Sequence, residues 1–257
     1  MPAAQHIGRA AWSRTLLCCL LAVGLLAAPA WSPARAALVL SDTRLVYHAS
    51  AHEAWIGVLN VGKQPALMQA WIDAGNASIK PQSSDVPFVV TPPMARIDAG
   101  QRQTLSVVFT GADLPADRES LYWLNVLDIP PEPHLKPGAN FIQFAVRTRI
   151  KLLYRPASLH GGPARAMTTL RWSERCTRGK CTLQVRNPSP YYVAIVDLRD
   201  RARPTRPALQ GTAAPFGAMR WRLQGKWAKA SVHSVAYGVL DDDGAMIDAQ
   251  ANVTRKP

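Results

Sequence analysis

Residues 140–156 read NFIQFAVRTRIKLLYRP. Taken two at a time, Ile142, Phe144, Val146, Ile150, Leu152 and Tyr154 fall on one face, the period of a β-strand with one apolar side. The other face carries Arg147, Arg149, Lys151 and Arg155. One strand through this run would hold about fifteen residues and span roughly 50 Å, against a usual five or six residues. A long apolar strand invites pairing by other chains, so its retention asks for a function.

The same period extends upstream. LVLSDTRLVYH (38–48), AWIGVLNVG (54–62), ALMQAWIDAG (66–75), FVVTPPMARIDAG (88–100), QTLSVVFTG (103–111) and SLYWLNVLDIP (120–130) are short β-like runs separated by turn residues. With 140–156 they make seven strands, the pattern of an immunoglobulin-like sandwich. Downstream, ASLHGGPARAM (157–167) reads as a hinge and first loop. TLRWSER, CTLQVRN, YYVAIVDLRD, AMRWRLQG, SVHSVAYGVLD and AMIDAQANVT then form a second β series. The prolines and charges of 199–217 argue against a central strand there. The expectation is all-β: two sandwich domains, 37–156 and 157–257, with no helix of any length.

The first 36 residues read as a secretory leader. Arg9 and Arg14 precede the apolar run TLLCCLLAVGLLAAPA, and small residues end in Ala34-Arg35-Ala36, so a cut is expected after Ala36, with Ala30 as the alternative. The run is too short for a comfortable membrane span, and the mature chain is not expected to insert stably into a membrane. Loss of Arg9, Arg14 and Arg35 takes the 30 basic residues to 27 against 17 acidic ones. A basic exported protein can meet acidic proteins, membrane surfaces, polysaccharide or nucleic acid, or simply carry a soluble basic surface.

Of the four cysteines, Cys18 and Cys19 lie in the leader. Cys176 and Cys181, exported and separated by Thr177-Arg178-Gly179-Lys180, are expected to staple a hairpin as a disulfide. A metal site would need two more ligands nearby. His48 and His52 more simply flank a turn, and Asp241-Asp242-Asp243-Gly244 lacks the spaced ligands and closing Glu of a calcium loop. No G-x-S-x-G, H-E-x-x-H, S-x-x-K or phosphate-cradling glycine loop is present, so neither an enzyme nor a cofactor is expected.

LPADRESLYWLNVLDIP (114–130) resembles the signature of the periplasmic pilus-assembly chaperones of the chaperone–usher pathway, the PapD-like family. DTRLVY (42–47), QAWID (69–73), TPPMARIDAG (91–100), RIKLLYRP (149–156) and NPSPYYV (187–193) carry the resemblance across both halves. It implies two immunoglobulin-like domains in a boomerang arrangement, with no ATP requirement. It implies binding of pilin subunits that lack their last strand, completion of each subunit by a strand of the chaperone, and delivery to an outer-membrane usher; such strand donation is a form of β-augmentation. Nucleic acid is not an implied partner. Self-association through the free strand is.

Residue by residue, the resemblance makes Arg44 and Lys151 the anchor for a subunit's C-terminal carboxylate, and Arg44, as eighth residue after a cut at Ala36, favours that cut. It makes Ile142, Phe144 and Val146 the donor residues, and Glu119, Arg155 and Asp242 an interdomain charge network, with Asp241 or Asp243 in place of Asp242 if the alignment slips. The loop Pro130–Asn140 is short, as in chaperones of rod-like pili, and 199–217 and the Cys176–Cys181 hairpin are less typical. Parity raises a question: the donors are even and Lys151 odd. Either twist or a bulge near Arg147–Arg149 reorients the strand, or plug and anchor use different faces. The alternative function is an exported structural or adhesive sandwich that binds polyanions or polysaccharide through its basic face.

Overall fold

The computed structural model describes residues 37–256 apart from 134–139, 179, 206 and 230. The leader, with Cys18 and Cys19, and most of the Pro130–Asn140 loop lie outside the described residues. The N-terminal domain is a sandwich of nine strands: Leu38–Leu40 (β1), Arg44–His48 (β2), Ala54–Asn60 (β3), Ala66–Asp73 (β4), Phe88–Thr91 (β5), Met94–Ile97 (β6), Arg102–Phe109 (β7), Ser120–Ile129 (β8) and Val146–Arg155 (β9). One sheet runs β1-β3-β7-β5 and the other β2-β9-β8-β4-β6. Alternation decides which side chains meet between them. In β3, Ile56 and Val58 point inward while Trp55 is exposed; in β7, Leu105 and Val107 are sealed from solvent. They join Leu38, Tyr47, Met68, Leu124 and Leu152 in one core.

Two runs expected as single strands each divide between the sheets. In 38–48 the chain turns at Ser41, whose backbone N donates to the Gly57 carbonyl (2.9 Å) and whose hydroxyl accepts from the Gly57 N–H (3.1 Å). This leaves β1 in one layer and β2 in the other. In 88–100 the break falls at Pro92-Pro93, which offer no N–H to a ladder. The expected fifteen-residue strand is also shorter: β9 has ten residues, and its antiparallel partner β8 accompanies it only as far as the pair Asp128↔Val146. Beyond lie Pro130 and Pro131, again without N–H groups, and residues 140–145 join no ladder.

The second domain contains Arg171–Thr177 (β10), Lys180–Arg186 (β11), Val193–Asp200 (β12), Leu209–Ala213 (β13), Ala218–Arg222 (β14), Ser234–Leu240 (β15) and Met246–Lys256 (β16). The order is β13-β12-β15-β16-β10-β11-β14. β16 pairs antiparallel with β15 up to Asn252 and parallel with β10 from Val253, so one strand serves both layers. Between them pack Trp172, Leu183, Ile195, Leu198, Val235 and Tyr237. β13 falls within 199–217 but at a sheet edge, where the flanking prolines cost no central hydrogen bond. The stretch expected as hinge and loop holds a short helix, Gly162–Thr168 (α1), with Pro163 in its first turn and Ala166 and Met167 buried. Cys176 and Cys181 face each other across the β10–β11 hairpin and form the expected disulfide, S–S 2.04 Å.

Candidate ligand-binding site

Three features of β9 meet at one place. The first is its open edge. β2 pairs in parallel with β9 only from Lys151 to Arg155, and among the described residues nothing pairs with that edge of Val146–Ile150. The second is the apolar segment ahead of it. Ile142 is 81% exposed, Phe144 69% and Val146 38%, although Ile150 and Leu152, of the same parity, are core residues.

The third is a pair of cations. Arg44 and Lys151 are direct cross-strand partners, so their side chains rise from the same face of the sheet, the one turned away from the core. Arg44 is buried; its Nη1 donates to the Leu240 carbonyl (3.1 Å), and its Nε is buried without a hydrogen-bond partner. Burial lowers its pKa against the opposing pull of Asp242, Asp241 and Glu119. Burial and the neighbouring Arg44 charge hold the Lys151 ammonium below the ordinary lysine value. Two desolvated cations side by side, one with an unused N–H, are arranged for an anion.

The rest of that face explains how the cations are positioned. Trp123, opposite Lys151 on β8, lies 4.1 Å from the Arg149 guanidinium and 5.6 Å from Lys151 Nζ. Arg149 donates to Asp73 through Nε at 3.1 Å and Nη2 at 2.5 Å. Burial would raise the Asp73 pKa, but Arg149, Asn125 and the Gly75 N–H outweigh it and hold it below the ordinary value. Arg149 is thus neutralised in place and Lys151 is not. Sequence reasoning missed Trp123 and the Leu240 carbonyl: the first follows from the β8–β9 register, the second only from docking of the second domain.

The three charges expected to act together do meet. The Arg155 guanidinium reaches Asp242 through Nη1 (2.7 Å) and Nη2 (2.8 Å) and Glu119 Oε1 through Nε (2.8 Å). Glu119, sealed from solvent, also accepts from the Tyr192 N–H (2.7 Å). Burial raises the Glu119 pKa against the pull of Arg155 and that N–H; Arg155, gripped by two carboxylates, is held firmly charged. Asp242 is free for this because Asp241 shapes the turn, its Oδ1 accepting from the Asp243 and Ala245 N–H groups. The polar turn is therefore built from hydrogen bonds of its own. The ladder β8–β9 keeps one register from Ser120↔Tyr154 to Asp128↔Val146, so no bulge interrupts it. In that ladder Lys151 stands opposite in facing to Ile150 and Leu152. Glu174 lies close to Cys176 and Cys181, but sulfurs joined to each other are not thiolate ligands.

Fold and site together define a two-domain immunoglobulin-like protein in which an open stretch of the β9 edge lies beside a buried arginine and a half-buried lysine. The chain belongs to the pilus-assembly chaperone family. Residues 37–160 match the pili and flagellar-assembly chaperone, PapD N-terminal domain, and 165–251 the pili assembly chaperone PapD, C-terminal domain. It is 41% identical over 251 residues to the chaperone protein FimB/FhaD of Bordetella pertussis, covering 95% of this chain and 99% of that one. The CupB2 chaperone of Pseudomonas aeruginosa superposes with a TM-score of 0.67 at 32% identity, over 84% of this chain and 100% of the other. The SafA pilin–SafB chaperone complex of Salmonella enterica gives 0.70 at 28% identity, over 86% of this chain and 98% of the matched chain. The family consists of assembly chaperones and not of enzymes. No helix among the described residues is long and apolar enough to cross a membrane.

Proposed function

We propose that this protein is exported to the periplasm, begins after its leader at residue 37, divides near residue 156, and caps pilin subunits by lending them the segment from Ile142 into the open edge of β9 before delivery to an outer-membrane usher. The observation that carries this reading is the continuity of the open edge of Val146–Ile150 with an exposed apolar segment at one end and two desolvated cations at the other. Ile142, Phe144 and Val146 fill the groove of a subunit that lacks a strand, and Arg44 with Lys151 receives its C-terminal carboxylate. The family and the pilin in the SafA–SafB complex support the partner class.

On this reading the subunit's strand has a direction. With its carboxylate at Lys151 and its chain running toward Ile142, the subunit's edge strand lies parallel to β9, over about 30 Å for nine residues. Plug and anchor then use opposite faces of one strand: the side chains enter the subunit's core, and the cations hold its terminus. Each plug side chain contributes about 1.5–3 kcal/mol of burial before the costs of association.

Coexpression with a pilin subunit tests the reading. A soluble one-to-one complex is expected, lost in Arg44→Ala and in Lys151→Ala. Full complex yield from both variants would refute the anchor. Salt-sensitive polyanion binding that ignores Phe144→Asp would favour the polysaccharide-binding alternative.

A further inference from the structure

Asp128 is a buried carboxylate at the end of the N-terminal core. It continues the inward series Leu124, Val126 along β8, pairing with Met68 on one side and Val146 on the other. Its Oδ2 accepts from the backbone nitrogens of Ala37 (2.7 Å) and Leu38 (3.2 Å). Its Oδ1 is buried with no hydrogen-bond partner, and no cationic side chain pairs with it among the described residues. Two amide N–H groups leave a buried carboxylate short of both a counter-charge and a donor, a costly arrangement.

Ala37 is seated as tightly as the carboxylate. Its carbonyl accepts from the Val61 N–H (2.7 Å). A Cβ built on Gly62 would lie 2.8 Å from the Ala37 methyl, so only glycine leaves room there. The first described residue thus has its carbonyl, methyl and nitrogen all in defined contacts, and the nitrogen points at an anion.

We infer that Asp128 is the built-in receptor for an α-ammonium group created by proteolysis between Ala36 and Ala37. In that step water adds across the peptide bond. The Ala36 carbonyl carbon takes the hydroxyl, and the Ala37 nitrogen leaves as an amine that is protonated. An amide N–H at 2.7 Å becomes an ammonium with three N–H donors and a full positive charge, one donor being available to Oδ1. Processing therefore completes the N-terminal core and fixes β1 onto β3; a cut after Ala30 would leave the Ala37 nitrogen an amide.

The test compares the full chain processed during export with the same mature chain carrying one or two extra residues before Ala37. Sequencing of the exported protein should begin at Ala37, and its melting midpoint should exceed that of the extended forms by about 3 °C or more. In Asp128→Asn the difference should disappear. NMR titration of the ¹⁵N-labelled Ala37 amine should place its pKa above the ordinary range of about 7.7–8.0. Sequencing that begins at Trp31, equal midpoints for exported and extended chains, or an amine titrating in the ordinary range would each overturn the inference. The extended-chain comparison keeps the test decisive if Asp128→Asn does not fold. Neither result depends on subunit binding.

Discussion

On the proposed function, Lys151 shows what a binding residue costs the free protein. Burial and the Arg44 charge disfavour its ammonium, so its folded pKa is depressed. A basic group shifted this way destabilises the fold while it is charged, and that penalty is relieved as pH rises through the depressed value. A bound carboxylate reverses the shift. Binding is then at full strength below the free-protein value and weakens in the alkaline window between the free and bound values, where capture must take up a proton. Lys151→Met should raise the stability of the free chaperone by about 1 kcal/mol or less while weakening subunit capture by about 10- to 100-fold, the loss of one charge-assisted hydrogen bond. Denaturant melts and titration with a peptide ending in a free carboxylate measure the two effects. A variant that loses stability and binding together would make Lys151 a structural residue only.

At the scale of the element, β9 is one strand with two employments. From Ile150 onward its even side chains build the core; ahead of Val146 they build nothing in the free protein. Phe144→Ala should therefore leave the melting midpoint unchanged and cut subunit affinity by about 10- to 100-fold, a loss of burial of about 1.5–3 kcal/mol. Gln143→Ala, of opposite parity, should leave affinity nearly intact; competition binding separates the two. The β10–β11 hairpin behaves differently. Cys176 and Cys181 are five apart in sequence, so cross-linking restricts the unfolded chain only modestly. Replacing both with Ser should cost the second domain about 2 kcal/mol and leave capture at β9 untouched, as calorimetry and pull-down would show. The period-two strands and the two-sheet architecture were legible because alternation is a local property. The end of β9 was not, since it depends on where β8 runs out of N–H donors. Nor was α1, whose seven residues are too few to display a period. The meeting of Arg44 and Lys151 came through resemblance, and the Trp123 contact requires a register that no local pattern states.

At the scale of the whole molecule, the Arg155 guanidinium is one of several links between the two domains, beside the Glu119 N–H, which donates to the Pro190 carbonyl (2.9 Å). Arg155 is the last residue of β9, so the strand that carries Lys151 ends in the group that grips Asp242 of the second domain and Glu119 of the first. The same second domain supplies the Leu240 carbonyl to Arg44. Domain docking and the cation pair are thus mechanically joined. Gly244 adds a steric condition: its φ is +80°, and a Cβ there would lie 2.6 Å from Thr43 Oγ1, next to Arg44. Removing Arg155 alone leaves Glu119 buried without its cation, a loss of about 3–5 kcal/mol. Removing both charges, as in Glu119→Met with Arg155→Met, takes away the grip and the stranded charge together, so the fold should recover much of that loss. Subunit capture should not recover, because Arg44 would lose the partner domain that orients it. Calorimetry should show a single transition in the native chain and two in Arg155→Met, and proteolysis should open the 156–161 connection in both variants. If the double variant captured subunits like the native chain, the charge network would be a stabilising device with no part in presenting the anchor.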